Sequence, residues 1–302
     1  MSVRPARLME PDQLRGHLAM LLFSALVAGS FSLGAMAANE IAPSALNAVR
    51  FWLAAAIIGT AVMATGGVPR GAFSAPWRYL VLGGVFGAYF VLMFEGLKTA
   101  EPVSAAAVFT LTPLMTALFG WLLLRQRLTG RMTLALMIGA AGATWVIFRA
   151  DPAAMLRFDI GRGEAIYFIG CVSHAIYTPL VRLLNRGESA LIFTLGTMLG
   201  GAVLVTAWGG GAILQTDWMN LPTIVWITLF YVTVFASAAT FVLIQYAALR
   251  LPSAKVMAYT YLTPSWVILI ELGLGRGAPP LLVSLGFGLT LVSLVLLLRD
   301  DG

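Results

Sequence analysis

A single cysteine, Cys171, stands in a chain of 302 residues, so no intrachain disulfide can form and no two-cysteine metal or redox motif is available. Its expected role is that of a small apolar filler. Charge is scarce as well: Asp, Glu, Lys and Arg make up 11% of the residues, whereas 60% are hydrophobic and the mean hydropathy is +0.90. A soluble domain carries about 25% charged residues, so lipid rather than water is the solvent for most of this chain. The sequence contains no G-x-x-x-x-G-K-[ST] phosphate loop, which removes ATP as the expected energy source. It also has no H-E-x-x-H or G-x-S-x-G sequence of the kind a hydrolase uses. With two histidines and no second intramembrane histidine or paired acid beside His174, neither a metal site nor a cofactor is expected.

What the chain has in abundance is long apolar runs. A bilayer crossing needs about 20 mostly apolar residues, and ten such stretches lie near 16–37, 45–65, 77–97, 103–124, 131–149, 163–185, 189–208, 221–248, 254–272 and 281–298. Backbone polar groups in hydrocarbon must be satisfied within each segment, and the alternation of a barrel strand is absent, which predicts an all-α integral membrane protein. The fourth and ninth stretches carry one phrase, Leu111-Thr112-Pro113 and Leu262-Thr263-Pro264. Gly96-Leu97-Lys98 before the fourth answers Ala248-Leu249-Arg250 before the ninth, and Gly139 answers Gly286 in the closing stretches. The chain therefore divides into a first repeat, 1–150, and a second, 151–302, joined through Asp151-Pro152 in the longest connection, near Ala150 to Arg162. An odd number of spans in each half turns the second repeat over, giving ten transmembrane helices as two inverted five-helix repeats, the design of carriers that alternate access around a central site.

The net charge of +6 and pI near 9.8 do not form a basic face, so no nucleic-acid partner is expected. The cations report orientation instead. Placing both termini in the cytoplasm puts Arg4, Arg7, Arg15, Arg70, Arg78, Arg125, Arg127, Arg131, Arg182, Arg186, Arg250, Lys255 and Arg299 inside. Arg50, Lys98, Arg149, Arg157, Arg162 and Arg276 then fall outside, an excess that follows the positive-inside rule. Ala35-Met36-Ala37 imitates a signal-peptide cleavage site, but cutting there would leave the repeats unequal, so the first span is expected to be retained. Small residues at Gly83 and Gly87, Gly196 and Gly200, and Ser104 to Ala107 predict close helix contacts.

Pro113 and Pro264 lie inside their spans, where each frees the carbonyl four residues earlier, Phe109 and Thr260. The pair predicts hinges beside a shared cavity, although Thr112 or Thr263 filling a passive kink is the plainer alternative. His174 sits near mid-membrane, where ionisable groups mark pathways or polar partners, and shares a helical face with Tyr167 and Tyr177. A neutral histidine bonded to a neighbouring helix is the structural alternative. Further candidates for a substrate wall are Tyr89 and Phe90 in the third span, Tyr231, Gln245 and Tyr246 in the eighth, and Tyr259, Tyr261 and Trp266 in the ninth, which bracket Pro264. Glu95, Lys98, Arg50 and Glu271 lie toward span ends, where snorkelling and structural roles are expected, which leaves no buried fixed cation for a substrate carboxylate.

Ten spans, the five-plus-five duplication, the small-residue run leading to Leu-Thr-Pro and the glycine in each closing span together resemble the drug/metabolite transporter superfamily, EamA type, over nearly the whole chain. Within it the chain is most similar to bacterial aromatic amino acid exporters. The resemblance implies a multi-pass protein of the bacterial inner membrane that exports amino acids or related metabolites without ATP hydrolysis; other metabolites or drugs are the alternative cargo. Its partners would be a small-molecule substrate and the bilayer, with a monomer sufficient. Many relatives place Glu just beyond the proline helix in each half, where this chain has Gln126 and Arg276. An intramembrane enzyme is the alternative of a different class, but it would need a pair of activated groups that the midplane does not offer.

Overall fold

The computed structural model describes residues 11–157, 159–277 and 279–298, all of them in helices or their connections, with no strand among the described residues. Arg4, Arg7 and Arg299, three of the expected inner cations, lie outside the described residues. Among the described residues fourteen α-helices follow one another: α1 (Pro11–Ala37), α2 (Pro43–Ala64), α3 (Trp77–Gly96), α4 (Pro102–Phe109), α5 (Thr112–Leu124), α6 (Gly130–Ile147), α7 (Pro152–Arg157), α8 (Arg162–Leu184), α9 (Ala190–Gln215), α10 (Thr223–Thr233), α11 (Thr240–Ala248), α12 (Ser253–Ala258), α13 (Thr263–Gly273) and α14 (Leu281–Leu298). A π-helical turn, Val234–Ala239, links α10 to α11, and a 3₁₀ turn, Tyr259–Leu262, links α12 to α13.

Local sequence explains the ends. Proline opens α2, α4 and α5, where its missing N–H would have no intrahelical partner in any case. The Thr129 and Ser189 hydroxyls cap α6 and α9 by accepting from the amides of Met132 and Ile192. Nine described helical segments are long and apolar enough to cross a membrane. The remaining crossing, Ser253 to Gly273, is the one broken by the 3₁₀ turn, which completes the ten expected spans. The longest connection is not a bare linker, since it contains α7.

Helix partners carry the signature of duplication. The most extensive pairings all join the two halves: α2 with α9, α6 with α14, α3 with α8 and α3 with α9. Exchanging each span with the one five places later turns α3·α8 into α1·α11, and α5·α8 into α1·α13, both of which are present. It turns α3·α9 into α2 against α10 and the π turn, also present, while α2·α9, α6·α14 and the α4/α5 pairing with α12/α13 map onto themselves. An inverted repeat predicts that pattern.

Glycine permits the closest of these contacts, because helices in lipid gain little from apolar burial and depend on packing. A Cβ on Gly142 of α6 would meet the Gly286 carbonyl of α14 at 2.6 Å, and one on Gly83 of α3 would meet the Thr197 carbonyl of α9 at the same distance. Gly139 answers a different need, since it makes room for the Tyr261 ring. Large apolar side chains such as Trp52, Leu122, Trp208, Phe230 and Leu285 face outward, as a lipid-contacting surface requires.

Candidate functional site

The centre of the bundle is filled by aromatic side chains from both halves. From α3 come Phe86, Tyr89 and Phe90, from α4 Phe109, from α8 Tyr167, His174 and Tyr177, and from α11 Phe241, all buried. Helical spacing explains the gathering: residues 86, 89 and 90 share one face of α3, and 167, 174 and 177 one face of α8, as expected for three- and four-residue steps. The His174 ring sits 4.4 Å from Tyr89, 5.0 Å from Phe86 and 5.1 Å from Phe109, measured between centroids. Tyr177 stacks on Phe86 at 4.2 Å, and Phe241 meets Phe86 edge-on at 4.2 Å. Offset and edge-on pairs of this kind add about 0.5–1.5 kcal/mol each beyond burial.

Polar groups are threaded through the cluster. The Tyr89 and Tyr167 hydroxyls share a hydrogen bond at 3.1 Å, and Gln245 Nε2 donates to the Tyr177 hydroxyl at 2.9 Å and to Thr197 at 3.3 Å. Among the described residues, His174 Nδ1 and Gln245 Oε1 have no hydrogen-bond partner. A buried acceptor or donor left unmatched costs about 1–3 kcal/mol, so each calls for an explanation, one of which is a ligand that supplies the partner.

Tyr89, Phe90, His174 and Tyr177 thus come into ring contact; Tyr259, with Trp266 packed beside it, belongs to the same buried core without a ring contact to them among the described residues, and Tyr261 belongs to a separate one. Tyr259 bonds His17 of α1 at 3.1 Å, Trp266 donates to Ser24 of α1 at 3.2 Å, and Tyr261 packs against Gly139 among Leu136, Leu294 and Leu297. The 3₁₀ turn at 259–262 winds with three rather than 3.6 residues per turn, so side chains within and after it face differently from those of a continuous α-helix. The helix is interrupted ahead of both prolines, between α4 and α5 and at this 3₁₀ turn. The Phe109 carbonyl freed by Pro113 accepts a hydrogen bond from the Thr112 hydroxyl.

Glu95 and Lys98 pair at 2.8 Å near the end of α3, in keeping with a structural role, and Glu271 pairs with Arg276 at 3.2 Å. Arg50 departs from expectation. Two turns inside α2, its side chain is fully buried and does not snorkel. Its Nε donates to Ser237 Oγ at 2.6 Å, Nη1 to Asn47 Oδ1 at 3.2 Å and Nη2 to the Ala236 carbonyl at 2.7 Å, and the guanidinium lies 3.6 Å from the Phe90 ring centroid. Ser237 and Ala236 belong to the π turn, whose wider winding breaks the regular carbonyl ladder. The expectation that no buried cation exists is therefore corrected: aliphatic length suggested snorkelling, but the side chain points into the bundle, where a widened turn receives it. Sequence reading also passed over Phe86 and Phe241, whose only signal was their spacing from Tyr89, Phe90 and Gln245.

Toward the end of the bundle away from the start of α1, a cavity of about 610 Å³ lies between α4, α6, α13 and α14, lined by Glu101, Ser104, Arg149, Glu271 and Arg276 among others. At the other end Arg78 of α3 donates to Glu188, in the α8–α9 turn, at 2.7 Å.

The sequence profile of the EamA-like transporter family matches twice, over residues 14–148 and again over 161–299. The chain belongs to that family. This EamA-like transporter is also 27% identical over 262 residues to an uncharacterized transporter, YyaM, of Bacillus subtilis (strain 168), covering 86% of each chain. A crystal structure of a protein 21% identical in sequence superposes with a TM-score of 0.71 over 94% of this chain and 95% of that one, a likeness of fold. The family places the ten helices in a membrane and makes a small molecule the substrate.

Proposed function

We propose that this EamA-like transporter exports amino acids, aromatic and other large neutral ones foremost, across the bacterial inner membrane by alternating access. The observation that carries the reading is the buried aromatic cluster around His174, built from both halves and containing polar atoms without partners. Aromatic faces and edges pack favourably against another flat or large apolar side chain, and the unmatched nitrogen and oxygen of His174 and Gln245 offer hydrogen bonds to the polar end of such a molecule. The repeats 1–150 and 151–302 interleave around the cluster, and the end where α1 begins faces the cytoplasm. On that orientation the cavity beside Glu101 and Glu271 is the exit vestibule, while Arg78 and Glu188 help to close the inner side.

The test is a competition panel in proteoliposomes, in which labelled phenylalanine is challenged by tryptophan, threonine, methionine, a nucleoside and a quaternary ammonium drug. Tryptophan and methionine should compete best, and recovered label should be unaltered phenylalanine. Competition by the drug alone would replace this reading with a multidrug carrier, and altered label would replace it with an enzyme.

A further inference from the structure

Among the described residues Arg50 makes three hydrogen bonds, all to neutral acceptors, from a group that has five N–H donors. One N–H on each terminal nitrogen is left over, which is the number one carboxylate takes in a bidentate pair. None of the ion pairs among the described residues includes Arg50. A buried cation without an anion is strongly unfavourable. A brace between α2 and the π turn needs no charge, because a neutral amide could donate to Ser237 and Ala236 at far lower desolvation cost. The charge itself therefore needs a use.

Its surroundings say what that use is. The Phe90 ring beneath the guanidinium stands 4.7 Å from Tyr89, 5.0 Å from Phe86 and 6.0 Å from Phe241, so the cation lies at the edge of the aromatic cluster. The Ala236 carbonyl and Ser237 hydroxyl of the π turn, with Asn47, hold the fork in place on three sides. We propose that Arg50 is the anchor for the carboxylate of the transported molecule, whose aromatic or large apolar side chain lies among Phe86, Phe90 and the rings beyond. The ligand class is a carboxylate with a bulky apolar group, and the inference deepens the export reading on which it rests.

The experiment compares acids with their own amides. Purified wild type, Arg50→Gln, Arg50→Lys and Ser237→Ala are reconstituted, and counterflow of labelled phenylalanine is challenged with phenylalanine, phenylalaninamide, phenylpropionate and phenylpropionamide. A charge-assisted pair contributes about 1.5–3 kcal/mol, so wild type should prefer each acid over its amide by about 10- to 100-fold. In Arg50→Gln that ratio should fall to about one, and in Arg50→Lys, which keeps a point charge without the fork, it should fall several-fold. Ser237→Ala keeps the charge and removes one of the three groups that hold the fork, so the acid preference should fall by less than in the lysine variant. An unchanged preference in Arg50→Gln overturns the anchor. Should that variant not insert, an unchanged preference in Arg50→Lys overturns it instead, as does a loss in Ser237→Ala equal to that in the lysine variant. If wild type carries no amino acid at all, the export reading fails; an Arg50-dependent preference for phenylpropionate over its amide, read against another labelled solute, would still sustain the anchor, and its absence would end it.

Discussion

Arg78 and Glu188 tie opposite halves of the chain together: the guanidinium Nη2 donates to Glu188 Oε1 at 2.7 Å, and Nη1 donates to the Leu184 carbonyl at 2.6 Å. Partial burial by itself would raise the Glu188 carboxyl, yet the hydrogen bonds from Arg78 and from the Arg186 amide outweigh it and hold the group below the usual carboxylate range. Because the folded value is depressed, the stabilisation is complete above the unfolded-state value of about 4.3 and is lost as pH falls through the folded one.

Glu188→Gln should therefore lower the unfolding temperature of the detergent-solubilised protein at pH 7, and the gap to wild type should close as the pH is taken below the ordinary glutamate range. Thermal unfolding of both proteins across that range checks this. A gap that widens on acidification would mean the carboxyl does not act as an ionised acceptor.

Close glycine contact gives a sharper contrast. Gly142→Leu drives a side chain into the Gly286 carbonyl of α14, whereas Gly288→Leu meets nothing within 4 Å of its new Cβ. Overpacking costs about 1–3 kcal/mol where side chains can adjust, and more where, as here, backbone faces backbone. Gly142→Leu should cut the yield of folded protein in size-exclusion profiles, and Gly288→Leu should leave it near wild type.

Spans, repeats and helix-contact glycines were legible in the sequence because lipid imposes them one residue at a time: apolar length, a repeated Leu-Thr-Pro and small residues at four-residue spacing. The cluster of Tyr89, Phe90, His174 and Tyr177 was half legible, since helical spacing orders each face but does not say which faces meet. Three features were not. The π turn at 234–239, which supplies the groups that hold Arg50, changes the winding without a residue that announces it, and Pro264 marks its span for a break without saying that the break is a 3₁₀ turn at 259–262. Arg50 was misread because distance from a span end does not reveal the direction of a side chain.

Orientation follows the arginines. Reporter fusions after residues 70 and 302 should be active inside the cell, and one after residue 156, within α7, should be active outside. External activity of the fusion after 302 would reverse the sides assigned to the cavity and to the Arg78–Glu188 pair.

The two prolines separate movement from assembly. Pro113 and Pro264 stand in the first turns of α5 and α13, where they tolerate a helix start, so alanine should insert normally while letting the helix close across the break. The double variant should reach the membrane at wild-type level and lose at least about tenfold in turnover, the equivalent of about 1.4 kcal/mol in the barrier. Normal flux at unchanged expression would show the breaks to be passive.

His174 distinguishes a ring that fills space from one that offers a nitrogen. Its Nδ1 has no partner among the described residues, while its ring touches Tyr89, Phe86 and Phe109. Phenylalanine at this position keeps an aromatic ring and removes both nitrogens, whereas alanine removes ring and nitrogens together. If the nitrogen serves the substrate, His174→Phe should fold as wild type and raise the KM for phenylalanine by about 3- to 10-fold, the worth of one hydrogen bond at 1 ± 0.5 kcal/mol. Tyr177→Phe, which takes away the hydroxyl that Gln245 Nε2 meets at 2.9 Å, should move KM in the same direction by a similar factor. Wild-type KM in both variants, with His174→Ala losing thermal stability alone, would reduce the cluster to packing and remove His174 and Tyr177 from the substrate path.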